Sequence, residues 1–290
     1  MKYTHSNSAV ETPSGKDQKY ENFPVGSWVL PAKLRPHIAT FYKFARTIDD
    51  IADTNSLSAK EKIQRLSIFE ATLTGQIFGR PGYERGDAMR LSLHETQISI
   101  QHCLDLITAF KRDATKLRYG DWPSLIDYCR YSAAPVGRYL IDLHGGDETD
   151  YPPSDALCSA LQILNHLQDC KEDFETMNRV YLPLDSLQRH NVTVNDLSAD
   201  TSSKGLRDVK REILHKTETL IDVSQPLIRQ LRSRRLAMET QSIINIARCL
   251  AAELTVRDPL AERVHLSKWQ YVRSCMAGVL TAVTTQRLAS

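Results

Sequence analysis

Two acidic segments constrain this chain more than anything else in it. The first is Arg46-Thr47-Ile48-Asp49-Asp50-Ile51-Ala52-Asp53; the second is Gln162-Ile163-Leu164-Asn165-His166-Leu167-Gln168-Asp169-Cys170-Lys171-Glu172-Asp173. Each holds an Asp-x-x-x-Asp, so on a helix its two carboxylates share one face, one turn apart. Like charges at that spacing repel and weaken an isolated helix, so something must compensate. A divalent cation is the natural candidate. Mg²⁺ takes oxygen ligands and is commonly held by one or two carboxylates together with substrate phosphates. Two such pairs on facing helices would grip a diphosphate through several metal ions.

In a chain with 35 Asp and Glu, the ordinary account of one short Asp-x-x-x-Asp is a solvated acidic turn. The surroundings argue otherwise here. The first motif sits among Ile38, Phe41, Tyr42, Phe44, Ala45, Ile48, Ile51 and Ala52. In the second, Asn165, Asp169 and Asp173 fall at i, i+4 and i+8, with Gln162 one turn earlier. Such a polar stripe on a helix otherwise rich in Leu, Ile and Ala reads as a face turned into a polar cavity.

The chain has 290 residues, 41% of them hydrophobic and 25% charged, which is ordinary globular composition and enough to bury a sizeable core. Its net charge of +2 gives no reason to expect nucleic acid, and no nucleic-acid motif is present. The six cysteines (Cys103, Cys129, Cys158, Cys170, Cys249 and Cys275) lack metal spacing and read as reduced, small apolar residues of a cytoplasmic chain. Neither a signal core nor a run of about 18 apolar residues appears, so no secretion signal and no spanning helix are expected.

Taken in order, residues 1–18 read as a disordered polar tail. An apolar segment bracketed by Pro24 and Pro31 leads into a helix over 32–53. That helix carries its acids at the C-terminal end, where the helix dipole disfavours them, and local misfits of this kind tend to mark functional sites. Helices are expected over 58–78, then two or three over 87–110. A polar, basic stretch over 110–119 follows, and next a helix over 124–143 interrupted near Ala134-Pro135-Val136-Gly137. The second acidic helix is expected over 154–173, a loop-like region over 184–203, and helices over 204–232, 239–255 and 267–286. His144-Gly145-Gly146-Asp147-Glu148 invites comparison with a cyclase signature, but a helix stop and turn explain it. Four arginines within 229–235 read as a solvated face or a membrane-surface patch. No run alternates with period two, so the fold is expected to be all-α, a single bundle over 19–290.

These residues resemble the squalene/phytoene synthase family. The resemblance covers nearly the whole chain from Tyr20. It rests on Tyr42-Lys43-Phe44-Ala45-Arg46 leading into Asp49-Asp50-Ile51-Ala52-Asp53, on Tyr131 through Val136-Gly137, and on Asn165-x-x-x-Asp169-x-x-Glu172-Asp173 followed by Arg179-Val180-Tyr181-Leu182-Pro183. It implies an isoprenoid-synthase-type bundle with a central cavity, a prenyl diphosphate substrate and Mg²⁺ between two acidic motifs. Within the family the chain looks most like members of bacterial hopanoid pathways. The pointers are Glu21-Asn22-Phe23-Pro24-Val25-Gly26-Ser27-Trp28, Ser132-Ala133-Ala134-Pro135-Val136-Gly137 and Asn165-His166-Leu167-Gln168-Asp169-Cys170. Asn22 stands where many relatives carry Ser, and Gln168 where many carry Arg.

The resemblance implies that presqualene diphosphate loses diphosphate, the cyclopropylcarbinyl cation rearranges, and water captures the allylic cation as hydroxysqualene. Squalene formation would instead need hydride from a nicotinamide; no Gly-x-Gly-x-x-Gly is present. Asp49, Asp53, Asp169 and Asp173 are the expected catalytic acids, and these four with Asn165 the expected metal ligands. Arg46 could reach the diphosphate, or simply pair with its own helix's acids. Asn22, Phe23, Tyr42, Asp50, Lys116, Arg118, Gln162, Gln168, Arg179 and Tyr181 complete the substrate candidates. An aromatic wall of Phe23, Trp28, Phe41 and Tyr42 is available to a carbocation.

Three alternatives stay open. One is a transferase joining two farnesyl diphosphates; another is a silent family member acting as an assembly protein. The third is a di-iron bundle built on Glu212-x-x-His215 and Glu262-x-x-His265. An apolar product suggests peripheral contact with the inner membrane face, and pathway enzymes upstream and downstream as partners.

Overall fold

Apolar residues recurring every three to four positions build the first helix, α1 (Arg35–Asp53). Ile38, Phe41, Phe44, Ile48, Ile51 and Ala52 are buried along one face, and Pro36 sits in the first turn, where its missing N–H costs nothing. The structure is a computed structural model that describes residues 30–287. The expected tail and most of the proline-bracketed segment, with Asn22, Phe23 and Trp28, lie outside those residues.

α2 (Ala59–Leu73) opens with a reciprocal capping box between Ser58 and Glu61. It stops short of the expected residue 78 because Gly75 takes a φ of 76°, a left-handed step that glycine makes without strain. α3 (Glu84–Thr96) and α4 (Gln101–Asp113) are the helices expected over 87–110. α5 (Trp122–Ser132) and α6 (Ala134–Leu143) are the expected interrupted helix, and the break falls on Ala133. Pro135 has no N–H to offer and its ring opposes the preceding turn.

The second acidic segment is not one helix. α7 (Tyr151–Gln168) and α8 (Cys170–Met177) meet at Asp169, whose φ of −102° and ψ of 11° leave the helical region. α9 (Leu184–Arg189) and a 3-10 turn at Val194–Ser198 give shape to the region expected to be loop. The helix expected over 204–232 divides at Pro226 into α10 (Lys204–Val223) and α11 (Leu227–Gln230). α12 (Arg234–Val256) starts earlier than expected because Ser233 caps it, accepting from the Leu236 amide. α13 (Lys268–Arg287) closes the described chain. No strand occurs among the described residues; one isolated parallel bridge joins Arg118 to Val180. The fold is all-α, as expected.

α1 packs against α2, α3 and α4, and α7 against α5, α6, α10 and α12, so each acidic segment ends a helix embedded in the bundle. Phe41 of α1 stacks on Tyr139 of α6 with ring centroids 4.0 Å apart, and Phe44 meets Phe69 edge-on at 6.1 Å. α13 runs antiparallel along α12. Ser242 Oγ donates to the Cys275 carbonyl at 3.1 Å, and Asn245 Nδ2 to that of Ser274 at 3.3 Å. Gly278 makes this closeness possible: a Cβ there would sit 2.5 Å from the Ser242 amide nitrogen and Cα. Backbone cannot yield as a side chain can, so Gly278→Ala is expected to push α13 outward. It should cost about 1–3 kcal/mol in urea unfolding, and an unchanged midpoint would show that the two helices are not seated this tightly.

Candidate active site

Three cations converge on the C-terminal end of α1 and its acids. Arg46, one turn earlier, reaches Asp49 at 3.2 Å and Asp50 at 2.9 Å, so its own helix's acids hold it. Arg179 follows α8 in sequence and is only 5% exposed. Its Nη1 contacts Asp53 Oδ1 at 2.5 Å and its Nη2 donates to the Ala52 carbonyl at 2.7 Å. Lys62 Nζ of α2 donates to the same carbonyl at 2.8 Å. Cations at a helix C-terminus offset its partial negative charge, and here two of them also neutralise the acids placed there. The compensation is incomplete at Asp49. Burial and the neighbouring Asp53 charge push its carboxyl well above the ordinary carboxylate range, although Arg46 pulls the other way.

At the second segment the helix break leaves the four-residue spacing intact. The Asp169 amide donates to the Asn165 carbonyl at 3.0 Å and the Asp173 amide to that of Asp169 at 2.8 Å. Asp173 is buried, with its Oδ2 3.8 Å from His166 Nδ1; His166 Nε2 lies 3.1 Å from Gln162 Nε2. Asp169 lies 3.5 Å from Arg263, in the loop after α12. Asn165, Asp169 and Asp173 thus keep the four-residue backbone linkage on which the stripe was argued.

Tyr181 joins the two segments. It is buried and stacks on His166 at 3.5 Å with an interplanar angle of 11°. It stacks on Tyr119 at 5.6 Å and lies tilted to Tyr128 at 5.5 Å. Two residues before it in sequence, Arg179 holds Asp53. A short run from Asp53 through Arg179 and Tyr181 to His166 and Asp173 therefore connects α1 to α7 and α8.

Other candidates fall elsewhere. Gln168 is 4% exposed and its Nε2 donates to the Val264 carbonyl at 2.5 Å, which anchors the loop after α12. Arg118 clasps Asn178: its Nη2 donates to Asn178 Oδ1 at 2.6 Å, and its Nη1 to the Asn178 and Leu117 carbonyls. Asn178 ends α8 at a φ of 53°, so the clasp locks that turn. Lys116 is exposed, its Nζ 4.6 Å from the Tyr119 ring centroid. Tyr42 is half-buried one turn before Arg46. Asn22 and Phe23 lie outside the described residues.

The two Glu-x-x-His pairs do not share a site. Glu212 is engaged by Arg189 and Lys216 at 2.7 Å each and by Ser186 at 2.8 Å. Burial works against it, yet these partners hold its carboxyl down to about 2. Glu262 pairs with Arg257 at 2.7 Å. A groove of about 670 Å³ lies over α9 and α10, lined by His190, Asp208, Arg211, Glu212 and His215; none of the acidic-motif residues lines it.

Asp113 is the participant that the sequence did not single out. It ends α4, inside the stretch read as polar and basic. Asp113 is 3% exposed and accepts from Tyr128 Oη at 2.8 Å. Burial pushes its carboxyl up to about 7, against the pull of Arg179 and the tyrosine hydroxyls. Between its ordinary 3.8 and about 7, the native chain binds a proton there that the unfolded chain has lost. Stability is therefore full below that window and falls as pH rises through it. In thermal melts, Asp113→Asn should gain on the parent as pH rises from about 4 to about 8; parallel pH profiles would show that Asp113 ionises normally.

Comparison with known proteins agrees with this architecture. The squalene/phytoene synthase family model matches residues 16–270. A hydroxysqualene synthase of Rhodopseudomonas palustris is 44% identical over 265 residues, covering 91% of this chain and 90% of that one. One from Zymomonas mobilis is 40% identical over 263 residues, covering 90% and 88%. Among solved structures, the squalene synthase HpnC of Alicyclobacillus acidocaldarius superposes with a TM-score of 0.72 at 29% identity, covering 83% of this chain and 89% of that one. A dehydrosqualene synthase gives 0.73 at 19% identity over 88% and 89%, a likeness of fold alone. With two acidic helix ends drawn together in an all-α bundle and a family match over most of its length, the chain belongs to the squalene/phytoene synthase family.

Proposed function

We propose that this chain is a hydroxysqualene synthase, converting presqualene diphosphate and water to hydroxysqualene and diphosphate within one catalytic domain spanning 19–290. The observation that carries the reading is 44% identity to a hydroxysqualene synthase over 91% of the chain. The completeness of both acidic motifs supports it against a catalytically silent role.

Among the described residues no three His, Cys, Asp or Glu side chains are already gathered as a metal site. The donor chemistry nevertheless fits Mg²⁺. Asp49, Asp53, Asn165, Asp169 and Asp173 offer only oxygen, which a hard cation requires, and the strained Asp49 beside Asp53 is the kind of carboxylate pair a divalent ion relieves. When bound, Mg²⁺ supplies Lewis acidity that offsets the charge of the departing diphosphate.

The chain's own residues do the rest. Arg46, and Lys116 at the exposed rim, offer cationic donors to a diphosphate. Arg179, fixed by Asp53 and Ala52, holds the acids of α1 in place. The aromatic cluster of His166, Tyr181, Tyr119 and Tyr128 offers π density that favours an allylic cation at its edge. Loss of diphosphate breaks a carbon–oxygen bond and ring opening redistributes the cation. Water then forms the new carbon–oxygen bond and releases one proton. Nothing is reduced, so no nicotinamide is consumed. No described helix is long and apolar enough to cross a membrane; peripheral contact with the inner membrane face suits an apolar product.

The test pairs two incubations with Mg²⁺ and no nicotinamide. Hydroxysqualene should form from presqualene diphosphate, with farnesyl diphosphate left untouched. Presqualene diphosphate accumulating from farnesyl diphosphate would make the chain a transferase instead. Asp169→Asn is the cleanest ligand variant, because its partner Arg263 is 37% exposed and can turn to water. It should lower kcat by about a hundredfold or more with little change in melting temperature. A loss of less than about threefold would remove Asp169 from the ligand set.

A further inference from the structure

α13 shows the wrong chemistry to water. Its buried face, with Ser274, Gly278 and Ala282 at four-residue spacing, rests on α12. On the opposite face Trp269 is 74% exposed, Val272 46%, Met276 62% and Leu280 66%. These four fall at i, i+3, i+7 and i+11 and make one stripe. A helix packed on one side would ordinarily turn polar residues outward, and a contiguous exposed apolar patch marks an interaction surface. Val256, at the end of α12, is 80% exposed as well. Gln270 Nε2 donates to Glu253 Oε1 at 2.6 Å and so ties that end of α12 to the start of α13.

The charges carried by α13 itself have one sign. No Asp or Glu occurs between Lys268 and Arg287, whereas Lys268 and Arg273 are exposed beside the apolar residues. Gly278 sits on Ser242 and Ser274 on Asn245. The helices are therefore antiparallel, and the C-terminal half of α13 runs toward the start of α12. Exposed Arg234 and Arg235 lie there, preceded by Arg229 and Arg232; of these, Arg232 is paired with Asp147. Tryptophan with aliphatic residues on one face and cations at its margins is the composition of a helix that lies in a bilayer interface. A second copy of the chain would instead set these cations against their own equivalents, since a two-fold contact pairs a patch with itself.

We propose that α13 is a monotopic docking surface for an anionic lipid bilayer, with Trp269, Val272, Met276 and Leu280 entering the interface and Lys268, Arg273 and the arginines of 229–235 meeting the headgroups. The surface lies on residues separate from the acidic site and does not depend on which diphosphate is turned over.

The experiment is sedimentation of the full chain with vesicles of phosphatidylcholine alone or mixed with phosphatidylglycerol, at low and high salt. The parent should sediment with the phosphatidylglycerol vesicles at low salt and remain in solution with the neutral ones. Met276→Glu with Leu280→Glu should reduce partition at least about tenfold, and Arg273→Gln about fivefold. Circular dichroism and melting temperature identify any variant that has lost its fold, and Arg273→Gln keeps the proposal testable if the double variant does. Binding by neither vesicle, equal binding by both, or full binding by the folded double variant would each overturn the proposal. So would a parent dimer that the double variant converts to monomer while neither binds vesicles, which would make the stripe a contact between copies.

Discussion

The pairing of Arg179 with Asp53 and with the Ala52 carbonyl is the interaction on which the acidic site depends. α1 ends in three carboxylates within five residues, at the pole of the helix where negative charge is least welcome. Left alone, that end would fray or draw protons. Arg179 meets the terminal acid and the Ala52 carbonyl at once, from a position that is almost fully buried. Removing one member of a buried pair leaves the other desolvated and uncompensated, at a cost of about 3–5 kcal/mol when burial is complete. The partial exposure of Asp53 puts this case at the low end. Because Arg179 belongs to the segment after α8, the same contact fixes the distance between the two acidic motifs. Sequence neighbours extend the effect: Val180 bridges to Arg118, and Tyr181 stacks on His166.

The fold was legible because amphipathic periodicity is a strong signal, and stop signals such as the proline near 135 fell where the chain turns. The acidic stripe was legible for a related reason: four-residue spacing on an apolar helix leaves few alternatives. What escaped the sequence was partner choice. Gln168 lies among the motif's residues in sequence, yet its amide is turned to Val264, ninety-six positions away. Arg118 looked like a phosphate ligand and serves Asn178, whose left-handed backbone gave no warning. Asp113 was hidden by basic neighbours; only burial against Tyr128 makes its carboxyl unusual. Each of these depends on contacts between distant elements, which no local pattern encodes. One signal was available: three tyrosines, Tyr119, Tyr128 and Tyr181, flank the motif-bearing stretches and need partners for their hydroxyls when buried.

The break at Asp169 shows how a continuous pattern can survive a discontinuous helix. The carboxylate spacing needs only the two hydrogen bonds that link Asn165, Asp169 and Asp173. It does not need helical dihedrals at Asp169 itself. α8 follows that break and leads into Asn178, Arg179 and Tyr181, and Arg179 reaches the end of α1. The segment after the second motif thus supplies the cation that neutralises the first.

The resting charges also sort the arginines by what they can do. Arg179 is 5% exposed and its guanidinium is held by Asp53 and the Ala52 carbonyl, whereas Arg46 is 24% exposed and Arg263 37%. Exchanging a partner is cheap for a cation that water can reach and expensive for one that water cannot. On the proposed reading, a diphosphate arriving with its cations offers the half-exposed arginines new anions and offers Asp49 and Asp169 new cations in the same event. The carboxylates then no longer need Arg46 and Arg263, and those guanidiniums no longer need the carboxylates. Arg179 gains nothing from the exchange, because leaving Asp53 would strand both charges and reopen the end of α1. The buried pair therefore acts as fixed scaffold and the exposed pairs as the exchangeable layer, and burial rather than residue type separates the two roles.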